Sequence, residues 1–318
     1  MADPTHGHTQ ALAARLSWMP AAAPAPLHTP ADAPASGAAA PAHGPLTTLP
    51  LTAHARGELG ATVPRLQAAG ADRPSFSAAA APGTPPRAVL VSEGAAAPAV
   101  VCVPSFLAGS GPHQFTRFAA RFAPRLRMSG LTLPGFDAAT PLPATWRAAV
   151  DSLTAAAVRA AGGAPLLLVG HSIGGALAHA VAATAERAGH EVAGAVLIDT
   201  YEPEVAQQHE VFGWAMGRVL DLDQELLGIT EHTVRAMGGY LRLFDDWTAD
   251  PLLAPALLVA AESGPEVPGG DRWALWRAPA TVVPVPGDHF SLLEEHAAAT
   301  ARTVEDWLRK ETPCSPSA

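Results

Sequence analysis

The stretch Leu166-Leu167-Leu168-Val169-Gly170-His171-Ser172-Ile173-Gly174-Gly175 restricts this chain more than any other. A short apolar run ends in Gly-His-Ser-Ile-Gly, and small residues at helical spacing follow. The pattern predicts a strand, a very tight turn and a helix, with Ser172 at the apex. Gly170 and Gly174 suit such a turn because the flanking chains come too close for side chains. The apex lifts the serine hydroxyl out of the sheet, beside a helix N-terminus whose free N–H groups favour a developing oxyanion. A bare G-x-S-x-G would say little; here the strand and the helix stand on either side of it.

The rest of the chain supplies the sheet this turn needs. Apolar runs at Ala88–Val91, Ala99–Val103, Ser129–Leu133, Pro165–Val169, Val192–Ile198, Ala256–Ala260 and Thr281–Val285 read as strands. Helical patterns at Pro112–Ala123, Trp146–Ala161, the stretch from Ser172 to Gly189, and His296–Lys310 fall between or after them. Strands alternating with helices predict an α/β fold with a parallel, doubly wound sheet. Leu51, Ala55, Leu59, Val63 and Leu66 recur at helical spacing, interrupted by Gly57, Gly60 and Pro64, and predict one or two short helices ahead of the sheet. Residues 1–46 read as an Ala/Pro-rich tail or linker, 47–85 as N-terminal helices, 86–311 as the α/β domain and 312–318 as a tail. His6, His8, His28 and His43 read as solvated loop residues of the first segment.

Between Asp199 and Asp250 the alternation stops. Helical patterns at Glu204–Leu220 and Glu231–Phe244 carry Phe212, Trp214, Met216, Met237, Tyr240, Leu241 and Phe244. Such an insertion, directly after a strand's C-terminal end, lies over the crevice where these sheets bind ligands. The expectation is a lid at about 203–250 over a long, largely apolar substrate. Those residues, with Tyr201, are the candidate channel wall; ordinary helix packing is the alternative.

Composition excludes some functions. The formal net charge of −9 argues against nucleic acid as a partner. No apolar run approaches the roughly 20 residues that span a bilayer, and Met1-Ala2-Asp3-Pro4 does not begin a signal peptide. The expected location is the cytoplasm. The two cysteines, Cys102 in an apolar run and Cys314 in a polar tail, suit neither a disulfide nor a metal site.

A serine hydroxyl needs a base to take its proton and a third group to orient that base. Among 13 histidines, His289 in Pro286-Gly287-Asp288-His289-Phe290 alone follows the last strand in a turn able to face the sheet edge. His171 reads as structural, and His179 as a mid-helix residue. For the acid, Asp199 and Glu262 each end a strand, and spacing does not choose between them. The backbone N–H of Ile173 is the first expected oxyanion donor, and Phe106 or Ser105 the second.

These residues resemble the releasing thioesterase domains at the ends of modular polyketide synthases. The matching segments are Val101-Cys102-Val103-Pro104-Ser105-Phe106, Ser110-Gly111-Pro112-His113-Gln114-Phe115 and Leu131-Thr132-Leu133-Pro134-Gly135-Phe136. They continue with Gly170 to Gly175, Leu197-Ile198-Asp199-Thr200-Tyr201 and Pro286 to Phe290. Ile173 and Gly175 depart from the alanines common there. The resemblance implies an α/β-hydrolase fold with a helical lid, and a triad of Ser172, Asp199 and His289, so Asp199 is preferred to Glu262. It also implies pairing of two copies through the N-terminal helices and no cofactor. The phosphopantetheine belongs to a partner acyl carrier protein that delivers the polyketide chain, for release as a macrocycle or an acid. A discrete editing thioesterase and an ordinary serine esterase are the alternatives; a hydrolase-like binding protein would have lost a triad member. Arg117, Arg121 and Arg125 would share a helix face and could steer the acidic carrier.

Overall fold

A computed structural model of the chain describes residues 44–77, 85–123, 125–137, 140–201, 205–221, 228–245, 247–264, 276 and 278–311. Cys314, the four N-terminal histidines and both predicted tails, apart from residues 44–46, lie outside them. The helices are α1 (Pro45–His54), α2 (Val63–Ala71), α3 (Thr116–Ala119), α4 (Trp146–Ala161), α5 (Ile173–Arg187), α6 (Val205–Leu220), α7 (Glu231–Phe244) and α8 (Ala297–Glu311). The strands are β1 (Ser75–Phe76), β2 (Ala88–Ser92), β3 (Ala96–Val103), β4 (Leu126–Leu131), β5 (Leu142–Pro143), β6 (Leu166–His171), β7 (Val192–Ile198), β8 (Ala256–Ala261) and β9 (Thr281–Val285).

Seven strands form the main sheet in the order β2-β4-β3-β6-β7-β8-β9. All neighbours are parallel except β2 and β4. The antiparallel edge agrees with the expected mostly parallel sheet, and its cause is local. Only residues 93–95 join β2 to β3, whereas a parallel crossover needs about a dozen residues or more. The two short strands β1 and β5 pair separately.

The central strands are apolar throughout because both faces are covered. Ala99, Val101, Val103, Leu166, Leu168, Ala195, Leu197 and Leu258 enter one core, with residues of α2, α4, α5, α6 and α7. Val100, Cys102, Leu167, Val169, Val196, Ile198, Leu257 and Val259 enter the other, with α3 and α8. Fully burying such a side chain contributes roughly 1.5–3 kcal/mol. A one-residue slip would exchange the two sets, so packing fixes the register.

Helix ends follow the sequence where caps are present. Thr145 accepts a hydrogen bond from the Ala148 N–H at the start of α4, and Gly162 ends that helix at φ 61°. The predicted helix over 112–123 instead stops early. A 3₁₀ turn (Pro112–Phe115) and α3 end by Ala120. Pro124 follows Ala123, and the residue before a proline avoids helical geometry. Arg125 therefore lies outside the helix, Arg117 pairs with Glu294 at 3.1 Å, and the expected arginine stripe does not form.

The N-terminal helices sit on the insertion. A 3₁₀ turn at Leu59–Thr62 leads into α2, which Pro64 opens from the first turn. A Cβ on Gly238 would collide with the Leu66 carbonyl, and one on Gly70 with the Gly239 nitrogen, so α2 and α7 meet backbone to backbone. A Cβ on Gly60 would lie 2.8 Å from the His209 carbonyl oxygen of α6. Glu231 accepts hydrogen bonds from the Leu46 and Thr47 N–H groups at the start of α1, at 2.6 and 3.0 Å. Leu59, Val63 and Leu66 are buried within the chain. Of the same predicted stripe, Leu51 is half-buried and Ala55 exposed.

Candidate active site

Chain direction puts the site at the C-terminal edge of the sheet. From β3 the chain crosses to β4 on one side, and from β6 to β7 on the other. Between β3 and β6 lies the crevice where such sheets bind ligands. Ser105 and Phe106 follow β3, and Ser172 follows β6.

Ser172 stands between β6 and α5 at φ 58°, ψ −138°. A non-glycine residue held there costs on the order of 1–3 kcal/mol. The neighbours make the turn possible. A Cβ on Gly170 would strike the Gly174 carbonyl, and one on Gly174 would lie 2.6 Å from the Val103 oxygen. The Ser172 N–H donates to the Ile198 carbonyl at 2.9 Å, which ties the apex to β7. Ile173 begins α5, so its N–H is one of the first four that a helix leaves without an internal partner.

Asp199 directly follows β7 and also has a positive φ, 45°. Its Oδ2 meets His289 Nδ1 at 2.7 Å and accepts the Tyr201 hydroxyl proton at 2.6 Å. Its Oδ1 accepts the Ala261 N–H at 2.9 Å. Burial pushes the Asp199 carboxyl up, but the His289 bond and charge, Tyr201 and Ala261 together hold it below its ordinary range. Asp199 and His289 are 2% and 1% exposed, whereas Glu262 is exposed. Of the two acids that spacing left open, Asp199 is the one that His289 meets.

The His289 loop is built from its own sequence. Gly287 takes φ 114°, and a Cβ there would lie 2.5 Å from the Ser291 hydroxyl. The Asp288 carboxylate accepts the Phe290 and Ser291 N–H groups at 3.1 and 2.9 Å. Burial raises the Asp288 carboxyl, and those bonds more than offset it, leaving it below its usual value. Trp214 packs edge-on against the His289 ring, with centroids 5.1 Å apart. His171, expected to be structural, also touches it. Their rings lie 4.5 Å apart, and His171 Nε2 is 2.7 Å from the His289 carbonyl oxygen.

Above Ser172 lies a mostly apolar cleft with about 580 Å³ of open space, mouth included. Ile173 and Phe106 line it, and Phe106 stacks on Tyr240 with centroids 5.6 Å apart. The Ser105 hydroxyl accepts the Leu107 N–H at 3.2 Å. Of the expected wall, Tyr201, Phe212, Leu241 and Phe244 face the cleft. Trp214, Met216, Met237 and Tyr240 do not. Trp214 is on His289, while Met216, Met237 and Tyr240 are wholly buried behind the wall, where the Ala108 N–H points at the Met237 sulfur at 3.4 Å. Each insertion helix is apolar on more than one face, and periodicity does not say which face meets the cleft. Val63, His209 and Asp245 also line it and were not anticipated. Val63 lay within the amphipathic N-terminal pattern, but nothing local to it points toward Ser172.

Among the described residues no group of three or more metal-ligating side chains occurs, and no helix is long and apolar enough to cross a membrane.

A family model described as "Thioesterase domain" matches residues 98–308. "Polyketide synthase GfsE" of Streptomyces halstedii is 40% identical over 74% of this chain. "Spectinabilin polyketide synthase system protein NorC" of Streptomyces orinoci is 38% identical over 69% of it. The chain spans only 6% and 10% of those relatives' lengths. Among solved structures, the type II thioesterase BorB from the borrelidin biosynthetic cluster superposes with a TM-score of 0.55 at 24% identity. That alignment covers 74% of this chain and all of BorB. With an elbow serine at the head of α5, an aspartate–histidine pair across the strand ends and this family match, the chain belongs to the thioesterase domain family, built on an α/β-hydrolase frame.

Proposed function

We propose that this chain releases a polyketide from an acyl carrier protein by two acyl transfers through Ser172. The observation that carries the reading is the buried Asp199–His289 pair at the same strand edge as an elbow serine that opens into an apolar cleft. Ser172 Oγ attacks the thioester carbonyl as its proton passes to His289 Nε2. The oxyanion accepts hydrogen bonds from the N–H groups of Ile173 and Phe106. The C–S bond then breaks, and His289 returns the proton to the departing phosphopantetheine thiol. Asp199 holds the His289 ring with Nδ1–H toward itself and stabilises the imidazolium. This leaves an acyl ester on Ser172 and needs no resident cofactor.

In the second half the chain's own hydroxyl or amine attacks the ester. His289 takes that proton and returns it to Ser172, and a macrocycle leaves. The lining favours this over water. Val63, Phe106, Ile173, Phe212, Leu241 and Phe244 exclude solvent and hold a long chain folded, and effective molarities in such settings reach roughly 10⁵ M or more. Mass spectrometry of the protein after mixing with a long hydroxyacyl thioester tests both steps. The expected result is an adduct on Ser172, followed by a product lighter than the linear acid by one water. An adduct that yields only linear acid would limit the reading to hydrolysis. Fast turnover of short acyl carriers alone would favour an editing thioesterase, and turnover of oxoesters alone an ordinary esterase.

A further inference from the structure

We infer that His171 is a positioning residue for the base, forming with Gln114 a clamp on the backbone of His289. The inference rests on His289 acting as proposed above. His171 Nε2 lies 2.7 Å from the His289 carbonyl oxygen. A carbonyl only accepts, so Nε2 carries the proton and donates. On the other side of the ring, Nδ1 is 3.3 Å from Gln114 Nε2. In a neutral ring this Nδ1 holds the lone pair, so the Gln114 amide N–H donates to it. A charged ring would donate from both nitrogens and would leave the Gln114 N–H facing another donor. Burial is the largest influence on His171 and pushes it down to about 3, so the neutral ring is the resident form.

The clamp has a consequence for the chemistry. Asp199 fixes the His289 ring from one side, through Nδ1. Nothing in that bond fixes the height of the backbone from which the ring hangs. His171 does, because it is the residue immediately before Ser172. It ties the base's backbone to the nucleophile's own turn, and Gln114 ties both to the segment between β3 and α3. The ring contact of 4.5 Å adds a second constraint. A neutral His171 also lets His289 accept a proton beside it. A cation at that separation would oppose the imidazolium that the reaction forms, whereas the Asp199 carboxylate bonded to His289 favours it. Tyr201 stacks on the far side of His289 and donates to Asp199, while Asp288 and Arg218 lie toward Phe290.

Four variants of the full chain test the clamp, with turnover of a small acyl thioester and the rate of Ser172 acylation as readouts. His171→Phe keeps the ring and loses the donor. Its kcat should fall about 10- to 100-fold, in line with a small misplacement of a catalytic group, while KM stays within about twofold. His171→Gln restores an N–H near the position of Nε2 and should recover most of the loss. Gln114→Leu removes the donor to Nδ1. Gln114→Glu replaces it with an acceptor that draws a second proton onto Nδ1, so that His171 becomes a cation beside His289 and opposes its imidazolium. The glutamate should therefore be the more damaging of the two. A His171→Phe enzyme that acylates Ser172 at the wild-type rate would overturn the inference, as would equal losses in His171→Phe and His171→Gln. Should His171→Phe fail to fold, judged by its far-ultraviolet circular dichroism, the Gln114 pair decides: glutamate no worse than leucine would overturn the clamp. Wild-type protein with no acylation at Ser172 would instead defeat the reaction reading itself, whatever the variants do.

Discussion

The ground beneath His289 and the roof above Ser172 are built by different physics. Beneath His289, position comes from short directional bonds. Asp199 uses both carboxylate oxygens, and His171 and the Asp288 turn hold the same loop. Above Ser172, position comes from apolar surface and from glycines that let backbones touch. The segment Leu59–Ala71 lies against α6 and α7, with Gly60, Gly70 and Gly238 at the points of contact. The bonded region fixes atoms on the scale that proton transfer requires. The packed region fixes a volume, which suits the wall proposed to accept a long chain. Damage below should therefore appear in kcat for any substrate. Damage above should appear in KM, in product ratio or in stability.

The largest effect expected is on the floor. Ser172→Ala should end acyl transfer altogether, with no adduct by mass spectrometry. Asp199→Asn should lower kcat on the order of 10⁴-fold through the wrong His289 tautomer, while Glu262→Gln stays near wild type. If the Glu262 change were the crippling one, the division drawn here would collapse at its centre.

Changes in the roof should be smaller and of another kind. Phe212→Ala opens the cleft wall and should raise KM for a long acyl thioester several-fold, as loss of one buried aromatic contact does, while leaving a short one nearly unaffected. Gly238→Val forces α2 off α7 and should cost about 1–3 kcal/mol of stability, read as a lowered Tm, with kcat on a short thioester largely kept in the folded fraction. Equal losses on long and short substrates from Phe212→Ala would blur the comparison.

The smallest effect sharpens it through pH. His171 takes a proton near pH 3 in the folded chain and near 6.5 when unfolded. Between those values the unfolded state binds more protons, so stability falls as pH drops, by up to about 1.4 kcal/mol per unit for this one group. His179, pushed down to about 4 chiefly by burial, and His113, also lowered by burial, act in the same direction. Asp199, held below 3.8, adds its own loss only at lower pH still. His171→Gln should make the decline of Tm between pH 6.5 and 4 shallower without removing it. An unchanged slope would mean that His171 is not a buried neutral ring.

Much of this was legible in order along the chain. The strand Val192–Ile198, the helix Trp146–Ala161 and the insertion helix Glu231–Phe244 are legible from apolar runs and helical periodicity with these same ends. Each signal is local: an apolar run, or apolar residues at helical spacing. The helix after β3 is shorter than its pattern suggests because Phe115, Phe118 and Phe122 keep helical spacing past Ala119, where α3 ends. Only some of the expected wall faces the cleft, for a related reason. Phe212 and Met216 belong to the same apolar helix, yet one faces the cleft and the other the core.

The sequence by itself determined the turn at Ser172, the loop at His289 and the alternation that makes the sheet. Those depend on residues within a few positions of one another, and glycine, proline and apolar spacing act at that range. Beyond what the family resemblance implies, only the tertiary structure decided which acid meets His289, which histidine touches it, and what covers the apolar stripe at Leu59, Val63 and Leu66. Asp199 and Glu262 end neighbouring strands and look alike along the chain. What separates them is which strand end the His289 loop reaches, and that follows from the order of strands across the sheet. His171 touches His289 because β6 and the loop after β9 bring residues 118 positions apart into contact. Contacts at that distance are made by the packing of whole elements, and no local pattern of residue types encodes them.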